Sequence, residues 1–275
     1  MQVDTHNGIR RVGNGAFRCC RSLRRINLES VVELDEWAFA RCENLEFLQF
    51  VDKLERIGNH AFTGCSSLQH LKLPSIVTIK QYAFNYCTCL ADVELSERLE
   101  RIGVMAFRNC ERLQRIAVPL KRDLLPFSHI FLKYCQFDDC EQLATVELIG
   151  GIHKTVASLH LESWRSEMIA EINRINQILP NTPANEKTEE IHEWMGVVID
   201  KKDHYKAEHY RYVQEGTTLL ELALWKAKLG ENEDRSVGRE TKKAKVDSES
   251  VRKGGRITCG ADTVIKNVLP FLELE

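Results

Sequence analysis

Ten cysteines and nine histidines are the side chains here that could hold a metal or act as nucleophiles, so their spacing decides much. Six cysteines recur once per repeating phrase, at Cys20, Cys42, Cys65, Cys87, Cys110 and Cys140. Metal ligands must converge on one point, as paired Cys-x-x-Cys knuckles do. One cysteine per copy instead describes a row of thiols, and reduced cysteine packs as a small apolar residue. Cys87-x-Cys89 and Cys19-Cys20 are close pairs, but neither has a second pair to complete a zinc site. His204 and His209 sit five apart, about 140° off a shared helical face, and His192-Glu193 stands alone. The sequence contains no His-Glu-x-x-His pattern, Walker loop, dinucleotide glycine motif or nucleophile elbow. These patterns predict no catalytic, cofactor-binding or metal-binding residues, hence a chain that is not an enzyme.

The phrase that spaces the cysteines reads Ala-Phe, two residues, Cys, two residues, Leu, two residues, aliphatic. It runs Ala16-Phe17, Cys20, Leu23, Ile26, then Ala38-Phe39, Cys42, Leu45, Leu48, then Ala61-Phe62, Cys65, Leu68, Leu71. It continues as Ala83-Phe84, Cys87, Leu90, Val93 and Ala106-Phe107, Cys110, Leu113, Ile116, and a sixth copy is degenerate, Gln136-Phe137, Cys140, Leu143, Val146. The steps are 22, 23, 22, 23 and 30 residues, so a short loop is inserted near 121–128. A fixed period of this size is the mark of a stacked repeat array.

Each aliphatic residue has another two positions on, as in Ile26/Leu28, Leu71/Leu73 and Ile116/Val118. Period two places both on one face of a short strand. One strand per coil gives a parallel ladder advancing about 4.8 Å each time. A second pair, three apart, precedes each Ala-Phe: Ile9/Val12, Val31/Leu34, Leu54/Ile57, Ile76/Ile79 and Leu99/Ile102. It is expected to line the opposite wall, and stacking buries both walls together. Arg11–Gly13, Arg56–Gly58 and Arg101–Gly103 recur 45 residues apart, as do Pro74 and Pro119, so the array reads as duplicated double coils.

Between the buried strand positions lie residues that must face outward: Arg25, Asn27, Phe47, Gln49, His70, Lys72, Asp92, Glu94 and Arg115. Mixed charge with one exposed aromatic suits a protein ligand better than a polyanion. This surface is the candidate partner-binding site.

The Ala-Phe…Cys…Leu…Ile order over roughly residues 9–150 resembles the BspA-type leucine-rich repeats. The resemblance implies an interaction scaffold with strands on both walls of the coil. The expected fold class is therefore α/β, a β-rich solenoid with strands on both walls followed by an α-helical C-terminal domain.

Beyond Gly150-Gly151 the apolar period becomes helical. Leu161, Trp164, Met168, Ile172, Ile175 and Leu179 form one stripe, ended by Pro180. Thr182-Pro183 predicts a restart, with Ile191, Trp194, Met195 and Val198 on a second helix and a third from about Asp203 to Leu229. Such a bundle would cap the last coil. Glu231 to Thr258 is charged and poor in aliphatics, as a flexible linker is. The chain ends on an apolar segment, with Val264-Ile265 and Val268-Leu269, expected to dock on the protein's own helices. The stretches Leu159–Trp164, Leu179–Thr188, His204–Tyr210 and Leu219–Leu229, with the closing Cys259–Leu272, resemble a large leucine-rich-repeat family of diatoms. That resemblance implies architecture and no activity.

The organisation expected is a solenoid of about six coils over 1–150, three helices over 151–230, a linker over 231–258 and the apolar segment over 259–275. A net charge of −2 gives no general attraction for nucleic acid or acidic lipid. No apolar run reaches the roughly 18–20 residues of a membrane span, and the start of the chain lacks the apolar stretch of a secretory signal. The array begins almost at Met1 without a polar cap, which leaves room for an earlier start with a further repeat. The function expected is a cytoplasmic adaptor for another protein. Two rivals stand beside it. One is a nuclear adaptor touching nucleic acid through Lys242, Lys243 and Lys245. The other is an enzyme with its site between solenoid and helices.

Overall fold

The computed structural model describes residues 2–4, 8–49, 52–125, 135–150 and 161–237. The expected linker beyond residue 237, its Lys242, Lys243 and Lys245, and the segment 259–275 lie outside the described residues. The chain divides into two compact units, residues 1–152 with 162–202, and residues 153–161 with 203–275.

In the first unit, period-two residues form parallel strands, one per coil on each wall. One wall carries β1 (Gln2–Asp4), β3 (Arg25–Asn27) and β5 (Phe47–Gln49) in one sheet. β7 (His70–Lys72), β9 (Asp92–Glu94), β11 (Arg115–Pro119) and β12 (Thr145–Ile149) form another. The opposite wall is a five-stranded sheet of β2 (Arg11–Val12), β4 (Glu33–Leu34), β6 (Arg56–Ile57), β8 (Thr78–Ile79) and β10 (Arg101–Ile102). Val12, Leu34, Ile57, Ile79 and Ile102 point inward from it and are buried, as their spacing predicts. The sequence reading places the first strand too late. Gln2-Val3-Asp4 pairs in register with Arg25-Ile26-Asn27, 23 residues on, which is the repeat's own step.

Between the walls the chain turns a corner at each Ala-Phe. Two residues in each of the first five corners and one in the sixth take left-handed backbone angles, with φ between 53° and 76°. One set is Gly15, Trp37, His60, Tyr82 and Met105; the other is Cys19, Arg41, Gly64, Tyr86, Asn109 and Asp139. For a residue with a Cβ this costs about 1–2 kcal/mol, and the corner recovers it through its neighbours. Each corner's N–H groups donate to carbonyls of the next coil: Phe17 N to Ala38 O, Phe39 N to Ala61 O, Phe62 N to Ala83 O, at 2.7–2.8 Å. The phenylalanine rings stack coil on coil at 5.0–5.7 Å between centroids, from Phe17 through Phe137. A second stack runs outside, where Trp37, His60 and Tyr82 follow one another at 4.0 and 4.7 Å.

α1 (Leu161–Ile178) buries Trp164, Met168 and Ile175, and a 3-10 turn (Leu179–Asn181) ends it at Pro180. α2 starts at Lys187 rather than at Pro183, and Thr182 donates back to Ile178 O instead of capping α2. Among the described residues two α-helices stand where three are expected, because α2 runs unbroken from Lys187 to Val237. No glycine or proline interrupts Ile199–Asp203, so nothing ends the helix there. In the first unit α2 buries Ile191, Trp194, Met195, Val198 and Ile199, and Trp194 Nε1 donates to Glu171 O of α1 at 3.0 Å. Among the described residues no helix is long and apolar enough to cross a membrane.

In the second unit the described part of α2, from Asp203 onward, buries Tyr205 and leaves Tyr210, Tyr212, Leu219, Leu220, Leu222, Leu224 and Trp225 exposed.

Candidate functional site

The cysteine row is a packing device. Cys42, Cys65, Cys87, Cys110 and Cys140 are buried, and each thiol donates to the phenylalanine carbonyl one coil back, at 3.0–3.3 Å. Burial pushes the Cys42 and Cys87 thiols up to about 12, and raises those of Cys65 and Cys110 as well. A thiol held protonated is neither nucleophile nor metal ligand. Among the described residues no three His, Cys, Asp or Glu side chains converge as a metal site would require.

The outward strand positions assemble as their alternation implies. Register places Arg25 beside Phe47, Asn27 beside Gln49, His70 beside Asp92, Lys72 beside Glu94 and Asp92 beside Arg115. Over this ladder lies a groove of about 1180 Å³ lined by Arg25, Asn27, Phe47, His70, Lys72, Asp92 and Glu94. Arg115 stands one rung beyond it. The side chain of Gln49 lies outside the described residues. Gln2, Glu46, Asp52, Gln69 and Pro74 also line the groove, and sequence reasoning missed them. Gln2 carried a signal, its in-phase match to Arg25. Glu46 and Gln69 each precede a strand by one residue and so fall outside the alternation.

Within the groove the charges divide into two zones. Towards the C-terminal coils they satisfy each other: Lys72 Nζ meets Glu94 at 2.9 Å, and Arg115 bridges Asp92 at 2.6 Å and Glu147 at 2.5 Å. That clamp holds the Arg115 guanidinium above its ordinary range and the Glu147 carboxyl below it. Towards the N-terminal coils the Arg25 guanidinium covers one face of the Phe47 ring, 4.5 Å from its centroid. Phe47 nonetheless remains 56% exposed. An aromatic held in place but open to solvent is the form an interface anchor takes.

The opposite wall is different. Its groove is about 320 Å³, and its charges pair off, Arg11 with Asp35 at 2.8 Å and Arg56 with Glu33 and Glu55 at 3.5 and 3.3 Å. Where the solenoid meets α2 within the first unit, a pocket of about 110 Å³ is lined by Lys121, Arg122 and His192 with Leu125, Met195, Gly196 and Ile199. Ligand sites are commonly about 300–1,000 Å³.

Among solved structures the chain is similar to several leucine-rich repeat proteins. The leucine-rich repeat protein of T. pallidum is 26% identical, with a TM-score of 0.44, covering 60% of this chain and 82% of that one. A leucine rich cell surface protein from Faecalibacterium prausnitzii is 19% identical, with a TM-score of 0.38, covering 54% and 47%. A leucine-rich repeat protein from Bacteroides ovatus is 20% identical, with a TM-score of 0.31, covering 54% and 60%. Curated protein sequences offer no match. Six copies of the BspA type leucine rich repeat match residues 10–143. This stretch of the chain is a BspA-type leucine-rich repeat region.

Proposed function

We propose that the chain is a non-catalytic interaction scaffold that holds another protein against the outward strand surface of β3, β5, β7, β9 and β11. The observation that carries this reading is Phe47, exposed within a groove whose neighbouring charges are already fixed in pairs. Pre-paired charges present a rigid pattern to a partner without a large ordering cost, while the aromatic supplies buried area on contact. Repeat scaffolds of this type generally serve protein interactions, which supports the same reading.

Affinity capture with three variants tests it. Phe47→Ala removes the anchor. Lys72→Glu with Glu94→Lys preserves an ion pair but reverses the local pattern, and Arg56→Gln alters the opposite wall alone. The first two should lower recovery of a specific co-purifying protein about tenfold or more, and the third should leave it unchanged. Equal recovery by all three would place the binding surface elsewhere.

A further inference from the structure

We propose that the apolar C-terminal segment, residues 259–275, packs on the face of α2 that carries Tyr212, Gly216, Leu219, Leu220 and Ala223. These residues fall at i, i+4, i+7, i+8 and i+11, one stripe of the helix. Leu219 is 67% exposed and Leu220 57%, and nothing lies within 4 Å of where a Cβ on Gly216 would stand. Gly216 and Ala223 thus make a shallow trough between larger side chains. Apolar area gathered this densely marks a contact surface rather than chance exposure.

The occupant follows from sequence and chain length. Val264, Ile265, Val268 and Leu269 fall at i, i+1, i+4 and i+5, so the segment can present one apolar stripe of its own, closed by Pro270. Between Val237 and Val264 lie 26 residues, poor in aliphatics and containing Gly254-Gly255. A random coil of that length would span about 28 Å. From Val237 back to Leu219 along α2 is about 27 Å at 1.5 Å per residue. Reach and separation match, so the tethered segment sees the face at an effective concentration of order millimolar. A second copy of the chain at micromolar concentration competes poorly with that.

Hydrogen exchange on the full chain tests this. In the double variant Ile265→Asp, Leu269→Asp, amides of Leu219 to Ala223 should exchange about tenfold faster than in wild type. Wild-type protection there should not depend on protein concentration. Leu219→Asp should produce the same loss from the other side of the contact. Unchanged exchange at the Phe62 amide shows that the solenoid remains folded in each variant. Equal exchange of wild type and the double variant would overturn the proposal. So would protection that rises with protein concentration, since a second copy would then be covering the face.

Discussion

Thr188 Oγ1 lies 3.1 Å from the backbone nitrogen of Phe137 and accepts the hydrogen bond of its N–H. In every earlier coil the corresponding phenylalanine N–H donates to a carbonyl of the following coil, from Phe17 to Ala38 through Phe107 to Gln136. The side chain of α2 therefore stands where a seventh coil would have placed a carbonyl. Two further residues do similar work at this edge. Asn176 Oδ1 accepts from Val146 N at 2.8 Å, and Lys187 Nζ donates to the carbonyls of Glu141 and Leu143 at 2.7 Å each. The helices end the stack by satisfying its backbone as well as covering its apolar face.

Thr188→Val keeps the shape of the side chain and removes the acceptor. The Phe137 N–H is then buried without a partner, which costs about 1–3 kcal/mol. Denaturant unfolding should show that loss, and Thr188→Ser should recover most of it. A valine variant as stable as wild type would mean that water reaches the Phe137 amide.

The glycines of the 45-residue double repeat are separated by what lies behind them. A Cβ on Gly58 would stand 2.6 Å from the Asp35 carbonyl carbon, and one on Gly103 would stand 2.5 Å from Gln81 N. Both contacts are with backbone of the preceding coil, which cannot yield without parting the coils. Gly13, the matching residue of the first coil, has nothing within 4 Å. Gly58→Ala and Gly103→Ala should therefore cost about 1–3 kcal/mol or more in denaturant unfolding. Gly13→Ala should be neutral or slightly stabilising, by up to about 1 kcal/mol.

These residues show why some of the molecule was legible and some was not. Period two and the recurring Ala-Phe disclosed both walls, the phenylalanine stack and the outward row from Arg25 to Arg115, because each follows from one side chain alternating with the next. The left-handed corners were hidden. Trp37, His60 and Tyr82 occupy positions where glycine or asparagine would have been the cue, and their backbone is held by hydrogen bonds between coils and by ring stacking. Helix number was misread for a local reason. The charged stretch Asp200–Asp203 looks like a boundary by composition, yet charge does not break a helix as proline does. The capping roles of Thr188 and Lys187 depend on contacts 44 to 51 residues away, which no local pattern records.

Arg115 links three strands through Asp92 and Glu147. Its hydrogen bond is the chief cause that lowers the Glu147 carboxyl, so the stabilisation is present above the ordinary carboxylate value and is lost as pH falls through the lowered one. The pair is partly exposed, and screening limits its worth to about 1 kcal/mol or less. In Arg115→Gln, the Glu147 titration followed by NMR should move upward to the ordinary range, with a small loss of acid resistance. An unmoved Glu147 would show that the clamp does not persist in solution.

The thiol row carries a pH dependence of the opposite sense. Burial raises the thiols of Cys42 and Cys87 to about 12 and those of Cys65 and Cys110 well above the ordinary value. In the unfolded chain these groups lose their protons near 9, while the folded state keeps them. Stability is thus complete below pH 9 and falls as pH rises towards about 12. Each thiol contributes about 1.4 kcal/mol per pH unit within that window. Lys187 acts in the other direction, because burial lowers its ammonium and stability gained there rises with pH below the usual lysine value. Cys135, whose thiol burial also raises, and Lys201, whose ammonium is raised by its hydrogen bond to Glu171, act in the same sense as the four thiols, so the net slope is downward. Urea midpoints measured in reductant at pH 8, 9 and 10 should fall with increasing steepness. Cys87→Ala lowers stability at every pH, since it removes a packed side chain and the thiol's bond to Phe62 O. Its alkaline slope should nevertheless be shallower than wild type by one thiol's share. Parallel slopes would mean that the Cys87 thiol ionises inside the folded array as readily as outside it.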